Sequence, residues 1–79
     1  MKEYKRLSKI LSKDYKTTIN VVEEYGFLNV GISIDNTKSI GISKVNLMND
    51  INTYLKSKYF LLSFVLFKDE LCLVLEEDD

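Results

Sequence analysis

Histidine is absent from these 79 residues and cysteine occurs once, at Cys72. Together these facts remove the commonest covalent and acid–base chemistries. No imidazole can act as a general base near neutral pH, and neither an intrachain disulfide nor a Cys/His zinc site can be assembled. Cys72 sits inside an apolar alternating segment, where a thiol is more often an inert core group than a nucleophile. Adjacent carboxylates such as Glu23 and Glu24 point to opposite sides of a strand and do not converge on one substrate. Gly26, Gly31 and Gly41 are too far apart to form a phosphate-cradling loop, and no EF-hand spacing occurs. The expectation is therefore a protein that binds without catalysing, with no cofactor and no metal.

Three surface features remain for binding. Lys2, Arg6, Lys9, Lys13 and Lys16 follow an i, i+4, i+7, i+11, i+14 series, which on a helix makes a basic stripe roughly 20 Å long. Residues 1–16 carry six basic side chains against two acidic ones, whereas residues 17–79 carry five lysines against ten acids. With a net charge of −1 the molecule is polarised, not basic overall. The stripe supports one reading, nucleic-acid binding, with a solvated helix face as the plainer account. A second feature is the acidic set placed near turns: Glu23, Glu24, Asp35, Asp69 and Glu70. These either keep the surface soluble or present negative charge to a basic partner. The third is the segment 59–75, apolar on both faces of a hairpin, with Leu61, Val65, Phe67 and Val74 on its reverse face together with Cys72.

The elements that must position these groups follow from periodicity. Tyr4, Leu7, Ile10, Leu11 and Tyr15 share one arc of a helix over residues 2–15, opposite the basic side chains. From residue 17 the period becomes two. A strand over 17–25 has Ile19 and Val21 on one face, Tyr25-Gly26 makes a tight turn, and Leu28, Val30, Ile32 and Ile34 define a second strand. Residues 35–38 have turn chemistry, and Ile40 and Ile42 mark a third, shorter strand. A second helix over 46–58, capped by Ser43 or Asn46, collects Leu47, Met48, Ile51, Tyr54 and Leu55. Phe60, Leu62, Phe64 and Leu66 then face one way and Leu61, Val65 and Phe67 the other. Lys68-Asp69-Glu70 turns the chain into a last strand bearing Leu71, Leu73 and Leu75, and the acidic tail 76–79 frays.

The prediction is one α+β domain over residues 1–79, in the order α-β-β-β-α-β-β, with an antiparallel sheet packed by two helices. Periodicity leaves open whether the helices cover opposite faces of the sheet or share one. In the second case the reverse face of the hairpin is bare, and homodimerisation or partner binding follows. The longest apolar run is too short to span a bilayer as a helix and no signal peptide is visible, so a cytoplasmic protein without a membrane role is expected.

The layout of a short basic helix ending in Lys13-Asp14-Tyr15, a three-strand meander and a second helix resembles small phage-encoded anti-CRISPR proteins that inhibit Cas9. The likeness spans residues 1–58. It implies a phage or mobile-element protein that binds and blocks or modulates a protein in the host cytoplasm. Beside it stand the two alternatives read from the residues, a nucleic-acid-binding protein using the first helix and a homodimeric structural or regulatory subunit.

Overall fold

The computed structural model describes residues 1–34 and 44–78. In chain order the elements are β1 (Lys2–Glu3), α1 (Lys5–Tyr15), β2 (Ile19–Glu24), β3 (Phe27–Ser33), α2 (Lys44–Leu55), β4 (Tyr59–Phe67) and β5 (Glu70–Glu77). All strand pairs are antiparallel, and the five strands lie side by side as β1-β2-β3-β5-β4. This is the α+β fold that the alternation of periods predicts. The expected turn at residues 35–38 and the strand at Ile40 and Ile42 lie outside the described residues.

Local chemistry sets the boundaries. The first helix begins at Lys5 and not at residue 2, because Lys2 and Glu3 pair with Glu23 and Val22 at the margin of the sheet. Tyr4 precedes the helix without a side-chain cap, and Lys16 ends it in the left-handed conformation at φ 56°. Asn46 lies inside α2 instead of capping it, and Lys56, at φ 55°, follows the last helical residue. Tyr25 and Gly26 both take positive φ, 55° and 81°, between the paired residues Glu24 and Phe27. Two successive positive φ values give a turn whose twist matches the flanking strands. Lys68, at φ 54°, and Asp69 make a second two-residue turn between Phe67 and Glu70. The tail expected to fray from Glu76 holds Glu76 and Glu77 in β5, opposite Phe60 and Tyr59.

Both helices share one face of the sheet. Ile19 pairs with Ile32, Val21 with Val30, Leu28 with Leu75 and Val30 with Leu73, so these side chains project from the same side. They form one buried cluster with Leu7 and Leu11 of α1 and Leu47 and Ile51 of α2. Ile10 and Tyr54, placed by periodicity on the apolar arcs, stand outside this cluster and are exposed. With the core all on one side, no described element covers the other face of the sheet.

The helices are tied to each other by the Tyr15 hydroxyl, which donates to the Asp50 carboxylate across 35 positions of sequence. Burial, then the bond to Asp50, pushes the Tyr15 hydroxyl up to about 12. The folded value lies above the ordinary value of 10.0, so the stabilisation is complete below about pH 10 and is lost as pH rises toward about 12. Because the pair is partly solvated, its contribution is only ~1 kcal/mol. In urea titrations Tyr15→Phe is expected to lie below the parent protein by that amount near neutral pH. The gap should close above pH 10, and a gap constant with pH would contradict the assignment.

Candidate functional site

An open sheet has two outer margins, and here they are treated differently. On the β2 side, β1 reaches only Val22 and Glu23. The rest of that margin is covered by α1, which substitutes side-chain oxygens for a neighbouring strand. The Val21 N–H donates to Ser8 Oγ at 2.8 Å and the Ile19 N–H to Ser12 Oγ at 2.8 Å. Ser12 Oγ also donates to the Ile19 carbonyl at 3.1 Å, and the Tyr4 N–H donates to the Val21 carbonyl at 3.0 Å. Serines four residues apart stand on one face of a helix, so both hydroxyls meet alternate residues of the strand. A groove of about 640 Å³ runs between α1 and β2 along this margin, and these same serines line it.

On the β4 side the first residue is treated in this way. The Tyr59 N–H donates to Asn52 Oδ1 at 2.7 Å, and Asn52 Nδ2 donates to the Tyr59 carbonyl at 3.0 Å, so one α2 amide completes both peptide groups. Beyond Tyr59, no described strand pairs with the outer side of β4. The exposed apolar residues are Phe60 (41%), Leu62 (49%), Phe64 (54%), Val65 (54%), Leu66 (65%) and Phe67 (64%). No Lys, Arg, Asp or Glu occurs from Tyr59 to Phe67. Edge strands ordinarily carry charges, prolines or a cover that prevents pairing with another chain. Among the described residues this strand is interrupted by a bulge, where Leu61 and Ser63 oppose the successive residues Leu75 and Val74 and Leu62 has no partner in β5.

The bulge corrects the expected hairpin site. By shifting the alternation one place, it moves Leu61 to the helix face, where it is half-buried against the core. Phe60 takes its place on the open face beside Val65 and Phe67. Val74 and Cys72 lie on that open face too, half-buried among their neighbours. Phe64 and Leu66, assigned by alternation to a face with Phe60 and Leu62, stay exposed on the helix side, because the core ends at Leu73 and Leu75 of β5. Along the outer half of β4, a margin that no described strand borders thus meets a face that no described element covers.

The other expected site residues fall at several places in the fold. Glu23 and Glu24 are in β2, not in a loop. Glu23 accepts from the Tyr4 hydroxyl at 3.2 Å, and Glu24 projects to the opposite face. Asp35 lies outside the described residues. Asp69 is exposed in the β4–β5 turn, where its carbonyl accepts from the Ile34 N–H at 2.6 Å. Glu70 begins β5 and folds its carboxylate over Gly31, so that a Cβ there would stand 2.6 Å from Glu70 Oε1. Of the basic series, Arg6, Lys9 and Lys13 line the exposed side of α1, whereas Lys2 lies in β1 and Lys16 occupies the left-handed cap. Lys2 holds its ammonium 4.8 Å from the Tyr4 ring centre. The single helical stripe of five is therefore reduced to three residues.

Cys72 donates its thiol to Glu70 Oε1 at 3.3 Å. Burial, and then the bond and negative charge of Glu70, push the thiol upward, away from the thiolate a nucleophile needs. Among the described residues no group of three potential metal ligands occurs, and no helix is long and apolar enough to cross a membrane. Comparison with protein-family models, with curated proteins and with solved structures finds no match to this chain.

Proposed function

We propose that this protein is a non-catalytic protein-binding module whose docking site is the outer half of β4. One observation carries the reading: the most apolar of the described strands is an uncharged strand at the edge of the described sheet, with side chains exposed on both faces from Leu62 to Phe67. Strand addition to such an edge supplies main-chain hydrogen bonds, and the flanking side chains add apolar contact and selectivity. The protonated thiol of Cys72 and the lack of histidine support a binding role over a catalytic one. The resemblance to phage inhibitors adds a narrower version, in which the module modulates a protein of a host cytoplasm.

A photo-crosslinking amino acid placed at Leu66, and separately at Lys13 on the basic helix, tests this reading in cells. Position 66 is expected to give discrete adducts with protein, and position 13 none. Adducts from position 13 with none from position 66 would move the site to α1 and overturn the proposal.

A further inference from the structure

We infer that the occupant of the β4 edge is a second copy of this chain, joined antiparallel about a two-fold axis at Val65 so that two five-stranded sheets become one. The inference rests on the docking edge proposed above and adds its partner and register.

Area is the first argument. Together the five apolar residues exposed from Leu62 to Phe67 present on the order of 600 Å², most of the roughly 800 Å² per partner of a standard stable interface. Placement is the second. Leu66 is bare on the helix side of the sheet while Val65 and Phe67 are bare on the open side. A partner laid flat on the open face would leave Leu66 uncovered and would meet Glu24, Glu70 and Glu76, all of which project there. A strand added at the edge neighbours both sides at once.

Register follows from charge and from the bulge. A two-fold axis through Ser63, the midpoint of Tyr59–Phe67, would set Lys58 against Lys68 of the second copy. It would also pair Phe60 of the open face with Leu66 of the helix face, which an antiparallel ladder does not allow. An axis through Val65 avoids both conflicts. Lys68 then lies against Leu62, Phe67 shares the open face with Ser63, and Val65 meets its own copy. The peptide orientation agrees. Tyr59 turns its N–H and C=O to the outer margin, and alternation carried through the bulge turns Leu66 the same way and Val65 inward toward β5. Val65 therefore faces its copy as a non-hydrogen-bonded pair, the closer of the two antiparallel spacings, with about 4.5 Å between Cα atoms. That separation admits a disulfide.

The test is a cysteine at the axis. Val65 pairs with Cys72 within the chain, so Val65→Cys is made together with Cys72→Ser. Mild oxidation is expected to convert most of this variant to a disulfide-linked pair, while Lys13→Cys in the same background stays single. Sedimentation of the parent protein should give twice the 9.2 kDa chain mass. Val65→Lys should give the single mass while keeping its circular dichroism and cooperative unfolding. A single mass at every concentration, with no disulfide at position 65, overturns the second-copy inference, and adducts of another protein from position 66 would then leave the docking edge standing. A double mass that survives Val65→Lys without crosslinking places the pair elsewhere and also overturns it. Failure of the edge itself would show as no adduct from position 66 at all.

Discussion

The double variant Ser8→Ala, Ser12→Ala is expected to lose about 3 kcal/mol of stability, much of what a domain of this size has. Ile19 and Val21 are buried, and their outward N–H groups have these two hydroxyls as partners. Removing one partner leaves a donor short of a hydrogen bond, which costs about 1–2 kcal/mol for each partly buried group. Ser12 should matter more than Ser8 to the strand, since its hydroxyl both accepts from and donates to the backbone of Ile19. Ser12→Thr keeps the oxygen and should recover most of the loss. There is also a consequence for assembly. With α1 no longer completing β2, the sheet would have two bare edges, and edge-to-edge addition would no longer close on a pair. Urea titration and light scattering check both parts: the double variant should unfold earlier and scatter more at high concentration. A double variant within ~0.5 kcal/mol of the parent protein would mean that water replaces the serines at no cost.

Much of this fold is legible in the residues because burial on one face leaves a strict period. Leu28, Val30 and Ile32 read as one face of a strand and are buried together. Leu7 and Leu11, like Leu47 and Ile51, read as the inner sides of two helices and are so. Tyr25-Gly26 reads as a turn because glycine takes positive φ at little cost. What escapes is whatever depends on neighbours. Two residues such as Lys2 and Glu3 carry no period, and only the free margin of β2 draws them out of the helix pattern. The bulge at Leu62 has no local signature, yet it exchanges Leu61 for Phe60 on the open face. Ser8 and Ser12 show their helical spacing in the sequence, but not the strand whose N–H groups they meet. Spatial strand order is the deepest omission. Chain order places β4 next to β3, whereas the sheet inserts β5 between them and leaves the most apolar strand outermost. Composition favours the reverse, since apolar strands are usually buried. The partner proposed above would account for such a strand at the margin.

That reasoning separates two leucines that the sequence makes look alike. Leu73→Ala in β5 is expected to cost about 3 kcal/mol, the usual loss for truncating a fully buried leucine. Leu73 is 1% exposed, pairs with Val30, and packs in the cluster that includes Leu47 and Ile51. Its replacement leaves a void in that cluster. Leu66→Ala in β4 should cost less than ~0.5 kcal/mol in the single chain, because the side chain is 65% exposed and already largely in water. The order should reverse for association. Leu73→Ala leaves the outer side of β4 unchanged and should affect pairing only through the folded fraction. Leu66→Ala removes apolar surface beside the proposed two-fold axis and should raise the dissociation constant of the proposed pair about tenfold, the equivalent of ~1.4 kcal/mol across two symmetric positions. Stability must be compared at dilutions where the mass is that of one chain, since pairing itself adds to apparent stability. Equal destabilisation by the two substitutions would place Leu66 in the core and remove the bare edge on which the proposed docking depends.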